Sequence, residues 1–356
     1  MKTAFRVPVL VVLGGSLFAV VRAASGESLT VASSVGPSRP VVSGSIDDQL
    51  EPLKAKFQRA PGRSPAPAEA RVTLGRTLFF DPRLSQASSM SCATCHNPGF
   101  SWGDGLARAV GDGMKTLGRR TPTVLNIGWG EAFFWDGRAE TLEQQALGPI
   151  AAPGEMNLPH DEMVKRLQSI GGYRSLFAAA FGDTTVSKEK VGMAIADFER
   201  TIVSSEGPFD RWLKGDRSAV SVSAKRGFAL FNGRADCTKC HSGWRFTDDS
   251  FHDIGALGND PGRATLLPGL DSMVHAFKTP TLRDVSRRAP YMHDGSEGTL
   301  EQVIELYERG GRVRRPSLAT EIHPLTLSAR DKRDLVDFLE TLSSPPQPVS
   351  VPSLPR

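Results

Sequence analysis

The chain has 356 residues, of which 39% are hydrophobic and 23% charged, and its formal net charge is +4. This length allows two domains of ordinary size, and the composition is that of a globular protein. Positive and negative charges are mixed and no long basic run occurs, which argues against nucleic-acid binding.

The first 23 residues have the features of an export signal. Lys2 and Arg6 precede an apolar run over residues 7–21, and a small-residue cleavage site ends at Ala23. The run is shorter than the roughly 20 residues of a membrane-spanning helix, although an uncleaved anchor is the alternative. We expect a signal peptide over residues 1–23, a periplasmic protein, and no membrane span after cleavage.

Two segments have the composition of loosely structured chain. Residues 24–67 are rich in Ser, Pro and Gly, and we expect them to be partly disordered apart from SIDDQLEPLKAKF. Residues 344–356 form a Pro-rich tail that is also predicted to be disordered.

The pattern Cys-x-x-Cys-His occurs twice and uses all four cysteines of the chain. The two copies consist of Cys92, Cys95 and His96, and of Cys237, Cys240 and His241. In this pattern two thiols one helical turn apart bond to the haem vinyl groups, and the histidine ligates the iron. A redox dithiol or a four-cysteine zinc site would leave both histidines without a role. The motifs therefore predict two covalently bound c-type haems.

The sequence around the motifs is repeated. LGRTLFFDPRLS and KRGFALFNGRAD precede the two copies, and TPTVLN and FWDGRAETLEQ are echoed by TPTLRD and YMHDGSEGTLEQ. Helical spacing extends over Lys188–Ser204 and Leu327–Ser343, and no sustained strand pattern appears. We predict an all-α fold with two cytochrome c-like domains, over residues 68–205 and 217–343, each with one haem, joined by a connector over residues 206–216.

FWDGR, LEQQA, PGEM and KTPTLR occur in this order around the two haem motifs. Over about residues 68–343 the chain resembles the bacterial di-haem cytochrome c peroxidases, and within them the MauG branch. The resemblance implies that hydrogen peroxide reacts at the N-terminal haem and that the C-terminal haem transfers electrons. It also implies a protein partner that is oxidised, such as a small cytochrome, a cupredoxin or a maturation target.

The resemblance also assigns roles near the N-terminal haem. It makes Glu155 the acid/base that moves a proton between the peroxide oxygens, and Gln145 a hydrogen-bonding group in the same pocket. The alternative for both is a surface helix residue. Trp135 is implied to lie between the haems, which is compatible with being a core aromatic residue.

Two features depart from ordinary peroxidases of this family. No histidine occurs from Asn97 to Pro159, and Met114 is the other familiar haem ligand type in the loop after the first motif. We therefore expect an N-terminal haem with an open face.

The second departure concerns the sixth ligand of the C-terminal haem. Tyr307 stands where peroxidases usually have methionine, and a phenolate stabilises ferric iron. Met292 is the rival ligand, and Met273 and His275 are weaker ones.

A calcium ion between the domains is the last implication of the resemblance. It assigns as ligands the Asn126 side chain and the backbone carbonyls of Arg288 and Pro290. A cap or turn residue is the alternative for Asn126.

Three functions are compatible with these residues: a MauG-type oxidase, an ordinary peroxidase, or an electron-transfer cytochrome without peroxide chemistry. Glu155 and Gln145 argue against the carrier, and Tyr307 favours the MauG-type mechanism. In MauG a surface tryptophan precedes the second motif, whereas here Trp244 follows it. We therefore do not predict tryptophan tryptophylquinone maturation.

Overall fold

The computed structural model describes residues 45–59 and 66–356, so the predicted signal peptide lies outside the described residues. The fold is predominantly helical, with little strand. The α-helices are α1 Ile46–Lys54, α2 Glu69–Phe79, α3 Cys92–Cys95, α4 Leu142–Ala151, α5 His160–Ser169, α6 Gly171–Phe181, α7 Lys188–Glu199, α8 Pro208–Leu213, α9 Val222–Asn232, α10 Leu300–Glu308 and α11 Ala329–Glu340. Strands β1 (Phe251–His252) and β2 (Phe277–Lys278) pair antiparallel, with Phe251 opposite Lys278. Within the described ranges, none of the helices has the length and apolarity to cross a bilayer.

The repeated letters TLEQ form the same helix start in both halves. Thr141 begins α4, where its hydroxyl accepts from the Gln144 N–H at 3.2 Å and the Gln144 side chain accepts from backbone N–H groups. Thr299 and Gln302 make the corresponding contacts at the start of α10. Each pair is a capping box, which satisfies N–H groups that a helix start leaves unpaired.

Each half contains two helices whose backbones touch at a glycine. A Cβ on Gly75 of α2 would lie 1.8 Å from the carbonyl oxygen of Ala194 in α7. A Cβ on Gly227 of α9 would lie 1.8 Å from the carbonyl oxygen of Asp334 in α11. Both crossings therefore require glycine, and each places the helix that leads into a Cys-x-x-Cys-His motif against a later helix of its own half.

The described chain has one large hydrophobic core in each half. In the N-terminal half, α2, α4, α5, α6 and α7 contribute to a cluster that includes Leu74, Phe177 and Ile195. In the C-terminal half, Phe228 and Phe338 lie at the centre of an aromatic cluster, with ring centroids 5.4 Å apart. Residues 45–356 nevertheless form one compact unit.

The stretch SIDDQLEPLKAKF, which was excepted from the predicted disorder of residues 24–67, belongs to the C-terminal core. Phe57 is buried there, and its ring stacks on Phe246 with centroids 4.8 Å apart. Asp47 of α1 is buried and accepts from Trp212 Nε1 at 2.7 Å and from Lys225 Nζ at 2.9 Å. The structure is ordered over the stretch that the sequence analysis set apart, and its partners Phe246, Trp212 and Lys225 lie far along the chain.

The predicted connector is also part of this core. Residues 208–213 form α8, and its Phe209 and Trp212 are both buried in the C-terminal cluster. Asp210 of the same helix pairs with Arg59 and Arg283, each at 2.9 Å. The segment is therefore a packed helix and not a linker.

The Pro-rich tail packs against both halves of the protein. The prediction that it is disordered was therefore wrong. Ser344 is buried and its N–H donates to Asp284 Oδ1 at 2.7 Å. At the other end of the tail, the Pro355 carbonyl accepts from Arg83 Nη1 at 3.0 Å, and the Arg356 carbonyl accepts from the Gly172 N–H at 2.9 Å. Backbone carbonyls supply these contacts, which composition does not reveal.

Candidate functional site

A cavity of about 740 Å³ lies between the two halves, and both Cys-x-x-Cys-His motifs line it. All six cysteine and histidine side chains of the motifs contribute to its wall. A volume of several hundred cubic ångströms is typical of cofactor sites. The fold therefore brings together the two motifs that are 145 positions apart in the sequence.

The two motif histidines are oriented in the same way. His96 Nδ1 lies 3.3 Å from the Trp102 carbonyl oxygen, and His241 Nδ1 lies 2.9 Å from the Phe246 carbonyl oxygen. A ring that donates from Nδ1 keeps the Nε2 lone pair available for a metal. Burial lowers the pKa of both histidines, which favours the neutral form that ligates iron. Both residues fit the role of iron ligand.

The motif cysteines are unbridged and are poor redox thiols. Burial raises the pKa of Cys95 to about 11 and that of Cys237 to about 12, and it also raises the pKa of Cys92. A reactive dithiol needs a lowered pKa, so the redox alternative is disfavoured. These sulfurs face the cavity and fit thioether attachment of a haem.

The structure does not support a four-cysteine zinc site. Among residues 45–59 and 66–356, the metal-ligating side chains that converge are Cys240, Asp248 and His252, whose ligand atoms lie within 4.8 Å of one another. His252 Nε2 is 2.8 Å from Asp248 Oδ2, and this pairing raises the pKa of His252 to about 10. Sequence reasoning missed this ion pair beside the second motif.

Glu155 and Gln145 both line the cavity on the side of the first motif. Gln145 follows the capping box of α4, and its Oε1 is buried without a hydrogen-bond partner in the described protein. Glu155 lies in the turn after α4 and is half-buried, with 30% of its side chain exposed. Burial raises the pKa of Glu155, and the opposing effect of Arg138 is smaller. An acid with a raised pKa and an amide with a free acceptor thus face one space.

A chain of ion pairs connects Glu155 with the C-terminal half. Asp260 binds Arg119 at 2.7 Å, and Arg119 binds Asp136 at 2.6 Å. Asp136 in turn binds Arg138 at 3.1 Å, and Arg138 Nη2 lies 3.9 Å from Glu155 Oε1. The charge nearest to Glu155 is therefore held in place by the interface between the halves.

Trp135 starts an aromatic series across that interface. The indole is 8% exposed, and its Nε1 donates to the Arg120 carbonyl at 2.8 Å. Its ring centroid lies 6.5 Å from that of His293, which stacks on Phe277 at 3.6 Å. The structure thus places Trp135 in the cavity wall, next to His293 of the C-terminal half.

Two of the four residues weighed as the further ligand near the second motif reach the cavity. Tyr307 and Met292 line it, whereas Met273 and His275 do not. Burial raises the pKa of Tyr307, and the nearby Cys240 and Cys237 thiols also contribute. Tyr307 therefore lies close to both cysteines of the second motif.

The loop after the first motif presents no familiar ligand to the cavity. Met114 is 82% exposed and lies outside the cavity wall. Two methionines that were not considered, Met90 and Met156, do line the cavity, but both are buried in the N-terminal core.

Sequence reasoning also missed Glu199, at the end of α7. This residue is 3% exposed, lines the cavity, and has an Oε2 atom without a partner in the described protein. Burial raises its pKa to about 8. The sequence around Glu199 does not indicate that this residue is buried. A glutamate that follows a core residue such as Phe198 ordinarily faces solvent.

Two of the three oxygens predicted to bind calcium accept hydrogen bonds from protein donors. The Asn126 side chain is hydrogen-bonded to Ser204. Its Oδ1 accepts from the Ser204 N–H at 3.0 Å, and its Nδ2 donates to Ser204 Oγ at 3.1 Å. Asn126 has a φ of 59° and precedes a short 3₁₀ helix, so the alternative of a turn residue is confirmed. Arg288 lies two positions before Pro290, and its backbone carbonyl accepts a hydrogen bond from the Arg120 guanidinium. The Asn126 and Arg288 oxygens are therefore engaged by donors within the protein.

Comparison with known proteins identifies the class. A profile of the family described as di-haem cytochrome c peroxidase matches residues 69–218. The chain is 52% identical over 338 residues to the methylamine utilization protein MauG of Methylorubrum extorquens, covering 93% of this chain and 95% of that protein. It is 35% identical over 314 residues to the cytochrome c551 peroxidase of Nitrosomonas europaea, covering 87% and 88%. The chain therefore belongs to the di-haem cytochrome c peroxidase family, whose members are oxidoreductases.

A solved structure agrees with this assignment. The crystal structure of a MauG-like protein associated with microbial copper homeostasis is 31% identical to this chain, with a TM-score of 0.73. It covers 80% of this chain, and the match includes 93% of that protein. The similarity therefore extends across both halves of the fold.

Proposed function

We propose that this protein is a periplasmic di-haem enzyme that reduces hydrogen peroxide at its N-terminal haem and oxidises a protein partner through its C-terminal haem. Cys92 and Cys95 would attach the first haem, with His96 as iron ligand. Cys237, Cys240 and His241 would hold the second. The observation that carries the proposal is Glu155, a half-buried acid with a raised pKa on the same cavity wall as His96.

A haem held by the first motif would supply the iron at which peroxide is reduced. Glu155 takes the proton from one peroxide oxygen and delivers it to the other, which leaves as water. Burial raises the pKa of Glu155, which makes its carboxylate a stronger base than that of an exposed glutamate. Gln145 Oε1, which has no protein partner, is free to accept a hydrogen bond from the substrate. Two electrons and two protons complete the reduction of peroxide to two waters.

Trp135 and Tyr307 are proposed to serve the second half of the reaction. The Trp135 ring centroid lies 6.5 Å from that of His293 in the C-terminal half, and the indole is proposed to relay electrons across the interface. Tyr307 is proposed to help hold the iron of the C-terminal haem, because its phenol is buried beside both cysteines of that motif. An anionic oxygen ligand stabilises ferric iron and lowers the potential, which suits a site that shares oxidising equivalents.

The partner is proposed to be a protein, either a small cytochrome or cupredoxin donor or a maturation target. The similarity to a methylamine utilization protein and the presence of Tyr307 favour a MauG-type oxidase over a peroxidase that only removes peroxide. Trp244, which follows the second motif, is half-buried and contacts Trp129 with ring centroids 5.0 Å apart.

The test is electron paramagnetic resonance of the ferric holoprotein before and after one equivalent of peroxide. We expect a high-spin haem signal that disappears without prior reduction. Glu155→Gln is expected to slow this loss by about two to four powers of ten, as for other acid/base groups. Glu162→Gln, on the exposed side of α5, is the matched control and is expected to react as the wild type does. Two low-spin haems that are indifferent to peroxide would instead identify an electron carrier.

A further inference from the structure

We infer that the Arg120 guanidinium takes the place of a calcium ion as the cation that joins the two halves, so that the protein needs no calcium. The inference starts from the misfit described above, in which the expected carbonyl ligand Arg288 accepts from Arg120 instead. It rests on the fold alone and not on the proposed reaction.

Arg120 is bonded to the opposite half by both its backbone and its side chain. Its N–H donates to the His293 carbonyl at 2.7 Å, and its Nη2 donates to the Arg288 carbonyl. Its own carbonyl accepts from Trp135 Nε1 at 2.8 Å. One residue of the N-terminal half therefore holds the Trp135 indole and also both ends of the 288–293 turn of the C-terminal half.

The charge around this contact disfavours a further cation. Arg120 and Arg288 are each 7% exposed, and the proximity of Arg120 helps to lower the pKa of Arg288 to about 10. The acidic groups that act on these two arginines are Asp104 and Asp284. Calcium sites collect six to eight oxygens, several of them carboxylate. Two buried guanidinium groups occupy this region instead, and a divalent ion would be repelled by both.

The two carboxylates are also engaged elsewhere. Asp104 Oδ2 accepts from Thr121 Oγ1 at 2.6 Å, and Asp284 Oδ1 accepts from the Ser344 N–H at 2.7 Å. Among the described residues, neither aspartate belongs to a cluster of carboxylates that could share a cation. Arg120 Nη2 donates to the Arg288 carbonyl oxygen, and Arg120 Nε is buried without a partner in the described protein.

The consequence is that Arg120 is a positioning residue for the aromatic series. Because it bonds to both Trp135 and the His293 carbonyl, it fixes the 6.5 Å separation of their rings. Loss of its side chain would release the Arg288 carbonyl, and with it the turn that carries His293.

The first test is the calcium content of the purified holoprotein. After incubation with calcium and dialysis, we expect no stoichiometric calcium relative to haem iron by atomic emission. We also expect the chelator EGTA to leave the melting temperature and the haem absorption spectrum unchanged. One calcium ion per chain after dialysis, or a melting temperature lowered by EGTA, would overturn the inference.

The second test compares variants of Arg120 in EGTA. Arg120→Asn removes the cation and is expected to lower the melting temperature by several degrees, whereas Arg120→Lys keeps a cation and is expected to recover part of that loss. Arg330→Asn, at an exposed arginine of α11, is the control and should melt as the wild type does. Equal melting of Arg120→Asn and the wild type would show that the guanidinium does not join the halves. If Arg120→Asn fails to fold, the calcium content of the wild type still decides the matter.

Discussion

Replacing Glu199 with glutamine tests the charge state of the cavity wall directly. The carboxyl is buried, its Oε2 has no partner in the described protein, and burial raises its pKa from 4.5 to about 8. The neighbouring Arg200 opposes this increase, but its guanidinium already pairs with Asp197 and Glu143. In the unfolded chain the same carboxyl titrates near its ordinary value.

The direction in which stability changes with pH follows from the number of protons that each state binds. Between pH 4.5 and about 8 the native state binds more protons at this site than the unfolded state, so the site makes stability fall as pH rises. At about 1.36 kcal/mol for each pH unit, the loss amounts to on the order of 5 kcal/mol across this window. Glutamine carries no titrating proton, so Glu199→Gln removes this slope.

The assay is urea unfolding of the holoprotein followed by far-ultraviolet circular dichroism, at about pH 5 and about pH 8. We expect the variant and the wild type to unfold at similar urea concentrations at the lower pH, and the variant to be clearly more stable at the higher pH. Glu162→Gln on exposed α5 should keep the wild-type pH dependence. Parallel pH profiles for Glu199→Gln and the wild type would refute the assignment of a buried, protonated carboxyl.

Three further outcomes are expected. Arg138→Gln removes the cation 3.9 Å from Glu155, so the pKa of Glu155 rises further. The peroxide reaction needs the ionised carboxyl, so as the pH is lowered its rate should begin to fall at a higher pH than in the wild type. Stopped-flow pH profiles that superimpose would contradict this. Tyr307→Met should change the absorption and the potential of the C-terminal haem, whereas Met292→Leu should not, and the reverse pattern would make Met292 the ligand. Gly227→Ala forces α9 away from α11, because its Cβ would lie 1.8 Å from a carbonyl oxygen; calorimetry should show a loss of at least about 1–3 kcal/mol, and an unchanged melting temperature would refute the close crossing.

Local sequence patterns predicted the features that depend on neighbouring residues. The Cys-x-x-Cys-His motifs were recognised because attachment chemistry sets their spacing, and the structure places both on one cavity. The helical spacing predicted over residues 188–204 and 327–343 was also confirmed by α7 and α11, since each pattern depends on contacts within one helix. Glu155 and Gln145 were found by resemblance, and the fold then brought them to the same wall.

The sequence by itself therefore determined which residues can carry haem chemistry and where most helices lie, because capping, periodicity and motif spacing act over a few positions. Only the tertiary structure decided that Arg120 meets the Arg288 carbonyl, that Glu199 is buried beside the cavity, and that the tail is ordered. Each of these depends on which distant group fills a particular space. Burial and the pairing of carbonyl oxygens are properties of that space and leave no local pattern in the chain.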